Sequence, residues 1–410
     1  MFERIAILDV GGAAARCVQT VRTMGIATAD PRALIAGREA RPREAVEGET
    51  PEPDGSVLQW GRHSHPERRG GLDVTELCSW LERTGADAAW VGWGAPNGHR
   101  SIAEACETVG VAFVGPGVAA LAAIRDPATL QRRMTAAGLR MAAGSDRATP
   151  TTIEVQLLVD ERGAAWTVGV VVHTTRGGRP VLSTTAQGAL DDAQLATCEQ
   201  VAVTAARALE LRGAVAIELN SPSHRDPPSI RRVRPHLTPT HTLSEVTTGL
   251  DLVARQFELA AGSHLMGSPH SRPLHAASAT LRVDELPTGS SATTPVEWLE
   301  APSSPGLRCD AAVEQGDVIP AALGTELVTF TTTGQDRGHA LARLSRTMER
   351  CTVALRAGAT DRGSPLDALL ELGATPFMPA KTTPRRRRRP PSSDSPSPPS
   401  WRPSSSTRRS

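Results

Sequence analysis

The histidines His63 and His65, in the segment GRHSHPERR, have the alternate spacing that places two side chains on one side of an extended strand. Two imidazoles arranged in this way bind zinc when further cysteine, histidine or carboxylate ligands complete the coordination. The sequence next to the pair contains no cysteine and no cluster of carboxylates. Residues 40–71 are rich in Pro, Gly and charged side chains. We therefore favour a solvent-exposed loop over a metal site.

Gly11 and Gly12 stand where an apolar segment gives way to a helical pattern. A glycine turn at a helix N-terminus can hold a phosphate group with its backbone N–H groups. The pair does not extend into a G-x-G-x-x-G motif, and no acidic residue follows at the distance that a dinucleotide site needs. We predict a tight turn there. The sequence also contains no P-loop and no G-x-S-x-G motif.

Lysine chemistry is excluded from nearly the whole chain of 410 residues, because Lys381 is its single lysine. Residues 1–380 therefore contain no lysine that could contact a nucleotide phosphate, form a Schiff base or carry biotin. Arginine supplies the other 44 positive charges (45 − 1), and it binds phosphate as a fork without acting as a titrating amine. The net charge of +1 gives the body no basic excess for nucleic acid.

The C-terminal residues 376–410 are dominated by Arg, Pro and Ser and include five consecutive arginines, Arg385–Arg389. Such a composition cannot bury enough apolar surface to fold, so we predict a disordered tail. Translation out of frame would explain the same composition. The arginine run would also attract polyanions, which leaves nucleic-acid binding by the tail as a minor hypothesis.

The six cysteines form no CxxC pair, and we predict buried free thiols rather than a disulfide framework. No apolar run reaches the length of a membrane span, and the N-terminus has too short an apolar run for a signal peptide. These observations predict a cytoplasmic protein with no membrane association.

The elements that must position any site alternate between strands and helices over the first 125 residues. Residues 3–10 read as a buried strand that is followed by a glycine turn and a helix over 13–24. The same alternation continues to residue 114, which predicts a doubly wound α/β domain. The further expected elements are strands at 26–29, 88–92 and 112–114 and helices at 72–84 and 102–109.

The remaining chain reads as mixed α and β structure. The expected helices span 127–137, 189–209, 244–261, 339–355 and 365–372. The expected strands span 153–159, 166–172 and 214–219, and 274–333 is β-rich. Residues 220–240 contain five prolines and four arginines, which argues against a core strand there.

Several segments together resemble the biotin carboxylase component of acyl-CoA carboxylases, an ATP-grasp ligase family, and look most like the versions found in long fused carboxylases. They are RIAILDVGGAAARCVQTVRTMGI, TGADAAWVGWGAPNGHRSIAEACETVGVAFVGPG, IEVQLLVDERGAAWTVG, RGAVAIELN, SEVTTGLDLVARQFELAAG and PSSPGLRCDAAVEQGDVIP. They occur in the family's order over residues 2–373. The resemblance implies an N-terminal α/β domain (1–125), a truncated ATP-grasp domain (126–265), a C-terminal β-rich domain (266–375) and the tail (376–410).

The resemblance implies a reaction in which MgATP and bicarbonate carboxylate the biotin of a carrier protein. Two functional positions match: Glu218 would bind the metal, and Arg308 would support the bicarbonate and biotin chemistry. The segment Leu139–Thr152 is too short to contain the family's lid subdomain, which carries a glycine-rich loop and a nucleotide-contacting lysine.

Other functional positions of the family carry different residue types in this chain. Its two further lysines fall at Pro127 and Val181, its second metal glutamate and metal asparagine at Arg232 and Arg234, its arginine at His236 and its general base at Thr240. A cation in place of a carboxylate repels Mg²⁺.

We therefore expect a catalytically inactive homologue that binds neither ATP nor Mg²⁺, with biotin present only if a partner carries it. The alternatives are a non-catalytic scaffold or dimerisation protein of a carboxylase complex, and a decaying gene product. The resemblance implies a biotin carrier protein, carboxyltransferase subunits and a second copy of the chain as partners.

Overall fold

The computed structural model describes residues 1–9, 11–29, 74–93, 99–142, 151–176, 179–221, 227–270, 272–282, 293–320 and 326–355. All of them belong to the first of two compact units, Met1–Pro376 and Phe377–Ser410. The His63–His65 pair, Lys381, the expected helix at 365–372 and the arginine-rich tail lie outside the described residues.

The N-terminal elements form a four-stranded parallel sheet with strand order β2-β1-β3-β4. Its two central strands are almost fully buried apart from Arg4, because helices cover them with apolar faces such as Leu77, Trp80 and Leu81. The predicted alternation of strands and helices is present. The elements are β1 (Arg4–Ile7), α1 (Gly11–Thr23), β2 (Ala27–Ala29), α2 (Val74–Thr84), β3 (Ala88–Trp90), α3 (His99–Val109) and β4 (Ala112–Val114).

The middle of the chain begins with two short helices and continues with strands of the second sheet. Asp126 caps the second helix by accepting a hydrogen bond from the Thr129 N–H, with Pro127 at the first helical position. The elements are α4 (Val118–Arg125), α5 (Pro127–Ala136), β5 (Thr151–Val159), β6 (Ala165–Arg176), β7 (Arg179–Thr185), α6 (Asp192–Ala208), β8 (Gly213–Asn220), β9 (Ile230–Arg234), α7 (His241–Thr248) and α8 (Leu252–Ala260).

The last segment completes the second sheet and adds a small third one. The eight-stranded sheet is antiparallel with order β12-β14-β10-β7-β6-β5-β8-β9, and a three-stranded sheet has order β13-β11-β15. The larger sheet thus takes strands from both sides of residue 265. The elements are β10 (His275–Arg282), β11 (Thr293–Glu300), β12 (Leu307–Ala311), β13 (Val318–Pro320), β14 (Glu326–Gly334), α9 (Arg337–Arg350) and β15 (Thr352–Leu355).

Residues 230–234 form the edge strand β9, where prolines on either side do not interrupt a central ladder, so the expectation that this segment is not a core strand agrees with the structure. Two expectations about helices are wrong. The helix expected at 244–261 is two helices, because Gly249 adopts φ 76° and Asp251 caps a new helix at the Ala254 N–H. The helix expected at 339–355 ends at Arg350 and gives way to β15.

The six cysteines are free thiols, but only three of them are buried as expected. Cys309 is exposed, because it lies on β12 at the edge of the larger sheet. Among the described residues, no helix is long and apolar enough to cross a bilayer.

Candidate functional site

One face of the eight-stranded sheet carries a continuous row of polar side chains. Residues paired across neighbouring strands share a face, and here the pairing runs unbroken from β8 to β12. Arg308 lies at one end of this row. Its members, in strand order, are Asn220, Thr152, His173, Ser183, Ser278, Thr331 and Arg308. Glu218 and Glu154 pair with each other one step further along the same face.

The sheet curls around α7, which lies on this polar face. Thr242 contacts Thr331 on β14 at 2.7 Å, and Ser244 donates to Gln156 on β5 at 2.6 Å. Strands β14 and β5 are four strand spacings apart, or about 19 Å in a flat sheet. Two residues of one helix span only about 3 Å along its axis, so the sheet must bend to bring both strands to α7.

Arg308 is enclosed by carboxylates of the chain itself. Its Nε and Nη2 donate to the two oxygens of Asp310 at 2.7 and 2.9 Å, and its Nη1 donates to Glu245 Oε2 at 2.5 Å. Burial alone would lower the pKa of Arg308, but the hydrogen bonds and charges of Asp310 and Glu245 outweigh it and raise the pKa. All three guanidinium nitrogens therefore have partners, and the charge of this predicted site residue is compensated within the chain.

Glu245 joins three parts of the fold. Its carboxylate also accepts from Arg16 Nη2 on α1 at 3.1 Å and from the backbone N–H of Leu252, at the start of α8, at 2.7 Å. Its side chain is 4% exposed, so these contacts replace nearly all of its hydration. Arg16 in turn pairs with Asp251 at 2.9 Å. Sequence reasoning did not single out Glu245, and its only signal was a carboxylate inside an otherwise apolar helical pattern.

A small cavity of about 10 Å³, room for about one water molecule, opens beside this cluster. It is lined by Arg16, His241, Asp310 and Glu326, together with Trp93, whose ring centroid lies 4.7 Å from that of His241. Burial lowers the pKa of His241, which keeps its ring neutral near pH 7. The lining therefore holds one arginine against two carboxylates, which does not favour an anion.

Glu218 is paired with a cation. It lies on β8 opposite Arg232 of β9, and its Oε1 accepts from Arg234 Nε at 2.5 Å and contacts Arg234 Nη2. The two side chains are 16% and 26% exposed. Mg²⁺ needs oxygen ligands, and guanidinium groups offer none. The residues around Glu218 therefore do not fit the metal that the resemblance implies. In the part of the chain that the structure describes, no group of three or more His, Cys, Asp or Glu side chains could hold a metal ion.

Thr240, which stands at the position of the family's general-base glutamate, is part of a hydrogen-bond network around Glu154. Thr240 donates to Glu154 Oε1 at 2.8 Å, and Thr238 and Gln156 donate to the same oxygen at 2.6 and 2.7 Å. His173 Nε2 lies 3.5 Å from the other oxygen. Burial opposes ionisation of Glu154, but His173, Thr238 and Gln156 outweigh it and hold the pKa of the carboxyl well below its usual range. A carboxylate so stabilised is a poor base.

The Glu154 network was also missed by the sequence analysis. Glu154 and Gln156 alternate with the apolar residues of the strand expected at 153–159, and both are buried. Two long polar side chains on one face of an otherwise apolar strand were the available signal for a polar sheet face.

The glycine turn at the start of α1 faces a carboxylate. A Cβ on Gly12 would lie 3.9 Å from Glu326 Oε2 and 3.5 Å from the Cβ of Ala312. Gly11 adopts φ 57°, which favours glycine. The negative charge near the helix N-terminus favours the predicted tight turn over a phosphate cradle.

Comparisons with known proteins agree with this architecture. Residues 1–121 match the family model described as biotin carboxylase, N-terminal domain, and residues 147–267 match that of the carbamoyl-phosphate synthase L chain, ATP binding domain. The chain is 21% identical to the biotin carboxylase of Halalkalibacterium halodurans, over 85% of this chain and 90% of that one. It is 22% identical to the mitochondrial methylcrotonoyl-CoA carboxylase subunit alpha of Arabidopsis thaliana, over 86% of this chain and 56% of that one.

The fold is also that of a solved structure. The biotin carboxylase–β,γ-ATP complex from Campylobacter jejuni superposes with a TM-score of 0.71 at 17% identity, covering 90% of this chain and 95% of that one. The predicted mixed α/β fold and the predicted family resemblance are thus confirmed. The roles assigned to Glu218 and Arg308 and the domain bounds stay predictions.

Proposed function

We propose that this chain, a homologue of the ATP-dependent biotin carboxylases with that family's N-terminal domain and fold, is a non-catalytic member. In this proposal it acts as a scaffold or dimerisation partner in a carboxylase complex. The observation that carries the proposal is the Glu218–Arg234 pair. The carboxylate that would hold the metal of MgATP is instead bonded to a guanidinium group.

Two further features support the loss of catalysis. The charge of Arg308 is compensated within the chain, since its three nitrogens already donate to Asp310 and Glu245, and this weakens its attraction for bicarbonate. The chain between the end of α5 at Ala136 and the start of β5 at Thr151 is also too short for a lid subdomain. Loss of one preorganised polar contact costs about 10²–10³ in rate, so losing several leaves no efficient route.

MgATP binding by the full-length chain tests the proposal. We expect calorimetry to detect no binding up to millimolar nucleotide, with or without bicarbonate, and no biotin-dependent ATP hydrolysis. An active biotin carboxylase serves as the positive control. Micromolar MgATP binding that disappears in Glu218→Ala would overturn the proposal.

The scaffold role needs its own measurement. We expect the purified chain to be folded and to form a stable dimer or to be retained by biotin carrier or carboxyltransferase subunits. Light scattering after size exclusion reports the first property and co-purification the second. An unfolded product, or a folded monomer that neither subunit retains, would favour a decaying gene instead.

A further inference from the structure

We infer that the guanidinium of Arg234 is a built-in replacement for a divalent cation at Glu218, so that this edge of the larger sheet is stable without metal. The inference deepens the proposed function, since it concerns the same carboxylate. Its claim is separate, however: it concerns the binding of a divalent ion without nucleotide and the thermal stability of the chain, and not nucleotide binding.

The register explains why Arg234 reaches Glu218. Ala216 pairs with Arg234 and Glu218 pairs with Arg232, so Arg234 is the diagonal neighbour of Glu218 on the same face. Diagonal neighbours on adjacent strands are within reach of long side chains. The small Ala216 leaves space for the Arg234 side chain to lie across the strand and donate to Glu218 at 2.5 Å.

The local charge does not favour a cation. Arg234 and the exposed Arg232 stand against Glu218 and its cross-strand partner Glu154, which gives a net charge of zero (2 − 2). A guanidinium stays protonated at any physiological pH and has no acceptor atom. A divalent ion at Glu218 would therefore meet two fixed positive charges, and Oε1 of the neighbouring Glu154 already accepts hydrogen bonds from Thr238, Thr240 and Gln156.

The Glu218–Arg234 pair also bonds the edge strand β9 to β8. Strand β9 is the edge strand of the eight-stranded sheet; it pairs with β8, and Ile230 at its start also exchanges backbone hydrogen bonds with Arg140 and Ala142. At the bulge beside Glu218, Arg231 donates to Asn220 Oδ1 at 2.8 Å. Two arginines of β9 thus bond to β8, and neither contact involves a metal.

Thermal unfolding and metal titration of the full-length chain test the inference. We expect the wild-type chain to have the same Tm in EDTA, Mg²⁺ and Mn²⁺. The combined change Arg232→Glu and Arg234→Asn supplies a second carboxylate and an amide beside Glu218. We expect this variant to bind Mn²⁺ at least about tenfold more tightly than wild type, because affinity follows the number and charge of oxygen ligands. Its Tm should rise when Mg²⁺ or Mn²⁺ is added.

Matched controls separate this result from general effects. Arg231→Asn removes an arginine of the same strand that bonds to Asn220 instead of Glu218, and it should gain no Mn²⁺ affinity. Adding Glu218→Gln to the reversed variant should abolish its gain. A folded reversed variant without tighter Mn²⁺ binding would overturn the inference, and so would a wild-type Tm that rises with Mg²⁺ and no longer does so in Glu218→Gln.

A double-mutant cycle covers the case in which the reversed variant does not fold. We expect Arg234→Gln to lower the Tm more than Glu218→Gln and Arg234→Gln together, because the single change leaves a partly buried carboxylate without its partner. Additive effects would contradict the inference. Because no step uses nucleotide, MgATP binding would refute the proposed function and leave these results unchanged.

Discussion

His99 and His236 stack on each other with their ring centroids 4.9 Å apart and their planes 21° apart. His99 begins α3, beside the parallel sheet, and His236 follows β9 of the larger sheet, so the pair joins the two layers. Burial lowers the pKa of His99 to about 3, with a contribution from His236, and it lowers the pKa of His236 to about 4. Arg234 lowers the pKa of His236 further, whereas Glu154 acts in the opposite direction.

This pair predicts that acid destabilises the fold well above the pKa of either ring. The unfolded chain takes up a proton at each histidine near pH 6.5, whereas the folded chain does not until pH 4 or below. The stabilisation is therefore complete above pH 6.5 and is lost as the pH falls. Between about pH 7.5 and pH 5, each histidine should cost about 2 kcal/mol of unfolding free energy.

Urea denaturation at the two pH values measures this loss. His99→Phe keeps a stacking ring and removes one titrating group, whose Nε2 has no hydrogen-bond partner in the described part of the chain. We expect the variant to lose about 2 kcal/mol less than wild type over the same interval. An unchanged pH dependence would show that other groups cause the acid lability.

Removing the charge of Glu245 should be strongly destabilising. Glu245→Gln removes the buried carboxylate between Arg16 and Arg308 and leaves each with a single, more exposed partner, Asp251 or Asp310; breaking a buried pair costs about 3–5 kcal/mol. Glu258→Gln is the matched control, because Glu258 pairs with Arg255 at 2.6 Å where both side chains are far more exposed than Glu245, 31% and 40% against 4%. Exposed pairs contribute less than about 1 kcal/mol. Equal effects in chemical denaturation would contradict the bridging role of Glu245.

Restoring the family's base at position 240 should harm the fold. Thr240→Glu places a second carboxylate beside the buried Glu154, and like charges at that distance cost about 2–4 kcal/mol near pH 7. Thr240→Gln has the same size and can still donate to Glu154, so we expect a smaller loss. The difference between the two variants should narrow as the pH falls toward about 4.3, the ordinary pKa of glutamate. A difference that is constant with pH would refute the electrostatic explanation.

A side chain at Gly249 should destabilise the fold. Gly249→Ala forces alanine into a left-handed conformation at φ 76° and places its Cβ 2.7 Å from Nη2 of Arg272. Gly138→Ala is the control, because Gly138 has φ 73° but no atom within 4 Å of the new Cβ. In the control, the strained backbone alone should lower the free energy of unfolding by about 1–2 kcal/mol. We expect a larger loss for Gly249→Ala. Equal losses would mean that Arg272 moves aside freely.

The periodicity of apolar residues predicted most of the helices and strands. It failed where a single residue ends or starts a helix within a continuous apolar pattern. The apolar positions continue at helical spacing through 244–261, yet Gly249 ends one helix and Asp251 begins the next. The glycine and the capping aspartate were visible in the sequence. Strand β9 was missed for the opposite reason, since its arginines suit an edge strand that pairs with Glu218 and Asn220 but not a core strand.

The candidate site depended on contacts that no local pattern contains. Glu245 meets Arg308 across 63 residues and Arg16 across 229 residues of chain. Likewise, the pairing of Glu218 with Arg234 follows from the register of β8 and β9, which a bulge beside Glu218 shifts. The family resemblance identified Glu218 and Arg308 as matching positions, but their partners became visible only in three dimensions.

The strand order of the larger sheet has a consequence for synthesis on the ribosome. Strand β7 pairs with β10, and β10 pairs with β14 (residues 326–334). The half of the larger sheet from β7 to β12 is therefore incomplete until residues 326–334 have been synthesised. Until β10 has been synthesised, β7 has an open edge that can pair with another nascent chain, and after that β10 has an open edge until β14 is made. Arg308 also reaches Glu245 only after β12 has emerged, so until then Arg16 is the only arginine of this cluster that has been synthesised and can compensate the Glu245 carboxylate.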